Sequence, residues 1–258
     1  MNDLEKYFRN NNKKLVVKWA HYFEIYDRYF NKYRGKDVVI LEIGVSQGGS
    51  LQMWKDYFGD KAKIYGIDIE PRCKELEEEN IKIFIGSQSD RKFLREVKSQ
   101  IPRIDILIED GGHGMNQQIV SFEELIDHVK DDGIYLCEDL HTSYWMEYGG
   151  GHKRTGTFIE YCKNFIDYLN AYHSEQNSLK VNNFTQTVHS VHFYDSIVVI
   201  EKRKIEKPYM EQTGVASYEP YVQQHGPLHP SRNKITYAFL WYVNKILRLF
   251  RVRGFIWK

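Results

Sequence analysis

Two short stretches carry the residues best suited to chemistry. Asp110-Gly111-Gly112-His113 follows the apolar run Ile104-Asp105-Ile106-Leu107-Ile108, which predicts a short buried strand. Glu138-Asp139-Leu140-His141 follows a second such run, Gly133-Ile134-Tyr135-Leu136-Cys137. Open α/β sheets bind ligands at the carboxyl ends of their strands, so these acids and imidazoles converge if the two strands are neighbours. A lone acid after a strand is ordinarily a turn former or a helix N-cap. Two clusters on consecutive strands, each pairing acid with histidine, point to a metal-assisted or acid–base site.

The elements that must position a ligand against these clusters come earlier. Val38-Val39-Ile40-Leu41-Glu42-Ile43 reads as the first strand, Gly44-Val45-Ser46-Gln47-Gly48-Gly49-Ser50 as a glycine-rich turn, and Leu51 to Phe58 as a helix. This is the order of a nucleotide-binding βα unit. Lacking a Cβ, Gly44 and Gly48 let backbone approach a ligand, and the helix start offers unpaired N–H groups. The spacing is G-x-x-x-G-G, however, not the dinucleotide G-x-G-x-x-G. Lys63 to Ile69 reads as the second strand. Its Asp68 falls about 20 residues after Gly48, the separation of an acid that accepts hydrogen bonds from ribose hydroxyls. Ile81 to Ile85 is a third strand, and the loop after it places Gln88 and Ser89 where a doubly wound sheet has its adenine pocket. Helices near Lys92–Ser99 and over Val120–Val129 are the next crossovers, with Asp131-Asp132-Gly133 as the turn into the fifth strand. Val188 to Phe193 and Ser196 to Ile200 flank Tyr194-Asp195 as a closing hairpin. The expected fold is α/β: a doubly wound, mostly parallel seven-stranded sheet with an antiparallel final hairpin.

Around that domain, residues 1–12 read as a frayed polar lead-in, and Leu15, Trp19, Tyr22, Phe23, Tyr26, Tyr29 and Phe30 recur at the spacing of one helix face. Lys18, His21 and Asp27 are the polar members of that segment. Glu70-Pro71-Arg72 opens a charged helix through Glu75 and Glu79. Gly149-Gly150-Gly151 amid aromatic residues predicts a mobile loop over the pocket, and Thr155 to His173 has helical spacing. Glu211 to Asn233, with Pro220, Pro227 and Pro230, reads as extended. From Ile235 to Trp257, apolar Phe239, Leu240, Val243, Ile246, Leu247, Phe250 and Trp257 alternate with Lys245, Arg248, Arg251 and Arg253. Such a basic amphipathic helix packs on its own domain or a sister subunit, or lies on an anionic membrane. The expected division is a helical lead-in at 1–34, the ligand-binding domain at 35–205, and an extension with its helix at 206–258.

Composition removes several classes. At 258 residues the chain suits one α/β domain with extensions. Lys and Arg number 36 against 35 for Asp and Glu, so no global field argues for nucleic acid. Cys73, Cys137 and Cys162 are widely spaced, without C-x-x-C, which fits a reducing cytoplasm and not a disulfide framework or zinc ribbon. The first residues have no basic and then apolar signal-peptide pattern, and no apolar run is long enough for a spanning helix. Cytoplasmic location is expected, with peripheral contact at the inner face of a membrane through the last helix as an option.

The order of elements, with a glycine turn after strand one and an acid after strand two, resembles the class I S-adenosylmethionine-dependent methyltransferases. Within that class, Leu41-Glu42-Ile43-Gly44, Gly66-Ile67-Asp68, Asp110-Gly111-Gly112-His113 and Glu138-Asp139-Leu140-His141-Thr142-Ser143-Tyr144 resemble the metal-dependent sugar O-methyltransferases of macrolide tailoring, the mycinamicin type. Chains of this pattern are also labelled cephalosporin hydroxylase-like. The resemblance covers about Trp19 to Glu201 and implies a Rossmann-like methyltransferase sheet. It implies S-adenosylmethionine on Glu42, Gly44, Ser46, Gly48, Asp68, Gln88, Ser89 and Asp110. It further implies a divalent cation on Asp110, Glu138 and Asp139, with His113 as general base. Hard carboxylates suit Mg²⁺. A sugar or glycosylated small molecule, in glycan or natural-product biosynthesis, would meet His141, Tyr144, His21 and Tyr22, and the protein is expected to form a homo-oligomer.

Blander roles stand beside these. Glu42 bonds either ribose or the amides of its own loop, His141 either touches the acceptor or orients the acids, and His21 and Tyr22 sit on an aromatic face that suits a core. His189 and His192 alternate on a strand and read as structural. A non-haem iron oxygenase using His113, His141 and Asp110 is the rival enzyme, but it leaves the glycine turn, Asp68 and Gln88 without a task. A non-catalytic nucleotide-binding scaffold leaves the acids unexplained.

Overall fold

Seven strands, β1 (Val39–Ile43), β2 (Lys63–Asp68), β3 (Ile81–Ile85), β4 (Ile104–Glu109), β5 (Val129–Cys137), β6 (Val188–Tyr194) and β7 (Ile197–Lys202), form one sheet in the computed structural model, which describes residues 1–218 and 234–249. The order is β3-β2-β1-β4-β5-β7-β6, with β1 to β5 in parallel pairs and β7 antiparallel to both β5 and β6. The helices are α1 (Asp3–Asn10), α2 (Tyr22–Phe30), α3 (Gly49–Phe58), α4 (Arg91–Gln100), α5 (Met115–Leu125), α6 (Phe158–Leu169), α7 (Asn183–Thr187) and α8 (Lys234–Leu249).

Every residue of β1 and β4 is buried, as continuous apolar runs require when helices cover both faces of a parallel sheet. Alternate side chains divide the core. Ile40, Ile64, Ile106 and Ile134 pack with Leu4 of α1, Tyr22, Phe23, Tyr26 and Phe30 of α2, and Trp54 and Phe58 of α3. Leu41, Ile43, Leu107 and Tyr135 pack with Leu94 and Val97 of α4, Phe122 and Leu125 of α5, and Phe158 and Phe165 of α6. The observed fold is the expected mostly parallel, seven-stranded sheet with its antiparallel closing hairpin.

Several local expectations give way to tertiary contacts. Residues 3–10 are not frayed. The Asn2 side chain caps α1 by accepting the Glu5 N–H at 2.9 Å, donates to the Phe23 carbonyl at 2.7 Å, and Leu4 is fully buried. The helix expected from Leu15 starts only at Tyr22. The stretch before it holds β-branched Val16 and Val17, and its Leu15, Val17 and Trp19 are exposed. Pro71–Leu76 is a short 3₁₀ turn, because the Glu77 carboxylate leaves the helical course to accept the Ile83 N–H at 2.7 Å. In the turn expected into the fifth strand, residues 131–133 belong to β5, which already pairs with β4 at Val129. The glycine loop after Tyr148 is pinned. Gly150 N–H donates to the Trp145 carbonyl at 2.9 Å and Gly151 N–H to the Ser143 carbonyl at 2.8 Å. A Cβ on Gly150 would lie 2.5 Å from the Thr142 carbonyl oxygen, so the glycine permits close packing.

Met1–Pro208 and Tyr209–Lys258 form two separate units. Pro220, Pro227, Pro230, Phe250, Arg251, Arg253 and Trp257 lie outside the described residues. In α8, Phe239, Trp241, Tyr242 and Ile246 are exposed, and the Lys245 ammonium sits 5.2 Å from the Trp241 ring centre. Among the described residues, no helix is long and apolar enough to cross a membrane.

Candidate active site

The ladder continues one residue past the strand ends and lines up the site. Gly44 N–H donates to the Ile67 carbonyl at 2.8 Å, Asp110 N–H to the Ile43 carbonyl at 2.9 Å, and Glu138 N–H to the Glu109 carbonyl at 2.9 Å. Strand order reverses between β1 and β4, where such sheets open a crevice. A cavity of about 480 Å³ lies there, floored by Gly44 to Ser46, Asp68 and the Asp110–His113 turn and roofed by the extended Leu15–Lys18 strap.

The glycine turn is shaped by close approach. Gly44 has φ +96°, and a Cβ there would lie 1.9 Å from the Asp110 carbonyl oxygen. Asp68 holds the turn: its Oδ2 accepts from Val45 N–H and Ser46 N–H, both at 2.8 Å, and its Oδ1 from Glu70 N–H at 2.9 Å. Gly48, φ +74°, starts α3. Glu42, expected beside the cofactor, does not line the cavity. It points to the α3 face of the sheet and accepts from Ser50 Oγ at 2.8 Å and Trp54 Nε1 at 3.1 Å. Burial pushes its carboxyl up to about 7.

Gln88 does line the cavity, yet its amide is engaged within the protein. Nε2 donates to Glu109 Oε1 at 2.6 Å, and Oε1 accepts from Gly112 N–H at 2.7 Å. Glu109 is fully buried and also accepts from Cys137 Sγ at 3.0 Å, and burial pushes its carboxyl up. Sequence reasoning missed this brace, although an acid closing an apolar run was its available signal. Ser87 lines the cavity; Ser89 sits behind it, with the two hydroxyls 2.9 Å apart.

Asp110, His113 and Asp139 each offer a donor atom within 4.8 Å of the others. His113 Nε2 is 3.3 Å from Asp139 Oδ2 and 3.9 Å from Asp110 Oδ1. Tyr22, expected toward an acceptor, is fully buried and donates to Asp139 Oδ1 at 2.8 Å, so it orients that carboxylate. Glu138 is buried behind the cluster with both oxygens on Lys18 Nζ, at 2.9 and 2.8 Å, and the same ammonium pairs with Asp110. Lys18, only 2% exposed, is the principal residue that sequence reasoning left unassigned. Burial opposes its charge, but Asp110 and Glu138 outweigh burial and hold it above the ordinary lysine range. Burial in turn pushes Asp110 and Glu138 up against the pull of the ammonium. One ammonium between two buried carboxylates, with Asp139 adjoining, leaves negative charge that a further cation would neutralise. Hard oxygen donors already holding one cation fit a divalent ion at Asp110 and Asp139.

Backbone strain gathers at the same place. Ser46, His113, Asp139 and Ser196 all have positive φ, from +49° to +63°, in a chain with only one other such non-glycine residue among those described. Ser196 braces His141, whose Nδ1 meets the Ser196 hydroxyl. His141 Nδ1 lies 3.9 Å from Asp139 Oδ1, but the donor atoms that converge among the described residues are those of Asp110, His113 and Asp139, with one histidine and two carboxylates, not the two-histidine, one-carboxylate set of an iron oxygenase. His21 Nε2 lies 3.1 Å from the Asp195 carbonyl, and Tyr144 is half exposed and does not line the cavity. His192 pairs with Glu201 on the hairpin, at 3.0 Å.

No family model matches the sequence. Demethylmacrocin O-methyltransferase of Streptomyces fradiae is 35% identical over 202 residues, 73% of this chain and 51% of that protein. The 8-demethyl-8-alpha-L-rhamnosyl tetracenomycin-C 2'-O-methyltransferase of Streptomyces olivaceus is 33% identical over 72% of this chain and 52% of its own length. The MycE methyltransferase of the mycinamycin biosynthetic pathway, solved in complex with Mg, SAH and mycinamycin VI, matches with a TM-score of 0.70 at 31% identity, over 79% of this chain and 54% of that one. The chain is a relative of the mycinamicin-type sugar O-methyltransferases. It spans about half the length of these curated sugar O-methyltransferases. The resemblance read from Asp110–His113 and Glu138–Tyr144 thus extends over 79% of the chain.

Proposed function

We propose that the protein transfers a methyl group from S-adenosylmethionine to a hydroxyl of a sugar or glycosylated small molecule, assisted by a divalent cation such as Mg²⁺. One observation carries the reading: the cavity lined by the glycine turn and Asp68 runs without a break onto Asp110, His113 and Asp139. The sugar O-methyltransferase relatives support it.

In this reading Asp68 keeps one acceptor position, on Oδ1, for a ribose hydroxyl while it shapes the turn that the donor approaches. Asp110 and Asp139 would hold the cation, with Glu138 joining them where Lys18 yields. A cation held there would supply a lowered pKa and a fixed orientation to an acceptor hydroxyl. His113 takes the hydroxyl proton as the oxygen attacks the sulfonium methyl carbon; the carbon–sulfur bond breaks, and its electron pair stays on sulfur as the thioether. Tyr22 keeps Asp139 turned to His113, so the resulting imidazolium faces a carboxylate at 3.3 Å.

Methyl transfer to a panel of glycosides, with and without EDTA, tests this. Asp139→Ala is expected to abolish most turnover while S-adenosylmethionine still binds in calorimetry, and His113→Ala to lose roughly two to four orders of magnitude. Full turnover in excess EDTA overturns the cation's part, and absence of S-adenosylmethionine binding overturns the whole. The surrounding assignment is a cytoplasmic homo-oligomer in glycan or natural-product biosynthesis, with α8 as its contact to a sister subunit or an anionic membrane.

A further inference from the structure

Beside the acids, outside the residues that line the cavity, aromatic rings form a continuous arc. Trp19 meets His141 at 5.6 Å between ring centres and 80° between planes, and His141 meets Trp145 at 4.6 Å and 65°. Trp145 meets Tyr148 at 5.9 Å, and Tyr148 lies 6.4 Å from the His113 ring. The ring contacts thus link Trp19 to His113. Trp19 is 53% exposed and Trp145 44%. That much exposed indole on two tryptophans beside the acids is surface for a ligand.

The arc is held in place before anything binds. Lys18, fixed between Asp110 and Glu138, anchors the strap that carries Trp19. Ser196 holds His141, and backbone hydrogen bonds from Tyr148 and Gly150 to the Trp145 carbonyl, at 3.2 and 2.9 Å, fix the Trp145 turn. Polar groups alternate with the rings: His141 Nδ1 lies 3.9 Å from Asp139 Oδ1, and His21 stands 6.2 Å from Trp19. A pyranose has this same pairing, an apolar C–H face ringed by hydroxyls. A lipid surface or an apolar peptide would call for an unbroken apolar patch with flanking cations.

We infer that Trp19, His141, Trp145 and Tyr148 form the subsite for the pyranose ring that carries the methylated hydroxyl. This rests on the sugar-hydroxyl reading above and names the surface that recognises the sugar. Tyr148 lies 6.4 Å from the His113 ring and His141 3.9 Å from Asp139, so a sugar seated on the arc presents an edge to both, and the subsite selects the sugar and the hydroxyl presented.

The test uses the full chain with S-adenosylhomocysteine bound, and methyl α-L-rhamnopyranoside and methyl β-D-glucopyranoside as probes. Saturation-transfer NMR and tryptophan fluorescence are expected to report binding of at least one glycoside by the unaltered protein. That binding should be lost in Trp145→Ala and Trp19→Ala, partly restored in Trp145→Phe, and accompanied by an unchanged S-adenosylhomocysteine Kd in all three. With a turnover substrate, Trp145→Ala should raise KM roughly tenfold, the worth of one aromatic contact, and leave kcat within about threefold. Equal glycoside binding in the alanine variants, no glycoside binding by the unaltered protein, or tryptophan-dependent binding of naphthol alone overturns the inference. Methyl transfer with unchanged KM in the variants sinks the subsite and spares the function. Tryptophan-dependent glycoside binding without methyl transfer does the reverse.

Discussion

Lys18 sets up a competition that can be measured one residue at a time. Its ammonium and a divalent ion draw on the same Asp110 carboxylate, so the neutral Lys18→Met variant should bind Mn²⁺ at least about tenfold tighter in calorimetry. Weaker binding would mean that the ammonium positions the carboxylates and does not compete. Glu42 makes a separate pH prediction. Its folded carboxyl titrates near 7 against 4.5 in the unfolded chain, so the native state keeps the proton longer. Its contribution is fully present below about 4.5, declines as pH rises to about 7, and is flat above. Urea titrations of Glu42→Gln should lack this decline, so the parent loses about 3 kcal/mol relative to the variant across that window. Parallel pH profiles for the two would show that Glu42 is not the group responsible.

Among the elements, the β1–α3 turn is the least forgiving. Gly44→Ala combines a left-handed φ with a clash against backbone of the β4–α5 turn and should cost about 3 kcal/mol or more of unfolding free energy, read by chemical denaturation. A variant as stable as the parent would show that the two turns can separate. The same elements show what was legible in the sequence. β1, β4 and the Ile134–Cys137 half of β5 announced themselves because strands buried on both faces must be largely apolar runs, and the acids after them could be assigned to one edge once those strands were neighbours. The strap was not legible. Leu15 and Trp19 repeat at helical spacing, and only the carboxylates from β4 and β5, far along the chain, draw Lys18 out of that pattern. The roles of Gln88 and Tyr22 were hidden for the same reason: Gln88 braces Gly112, and Tyr22 braces Asp139, through side-chain bonds that no local window contains.

At the scale of the whole molecule, the Met1–Pro208 unit contains every residue of the cavity and the aromatic arc. A chain ending at Asn233 is therefore expected to keep its S-adenosylmethionine affinity, while native mass and sedimentation with anionic vesicles report what α8 contributes. Loss of cofactor binding on truncation would give α8 a part in the site; unchanged mass and sedimentation would remove it as a contact element. The strap also gives the molecule a timetable. Lys18 and its partner Glu138 are separated by 120 positions, so a ribosome adding about 5–20 residues per second delivers the acid roughly 6–24 s after the lysine. Until then the lysine has no buried seat and the roof of the cavity cannot close. Docking of the amino-terminal strap thus marks the completion of the parallel sheet, and a nascent chain halted before β5 should leave residues 15–18 open to protease that the finished protein resists.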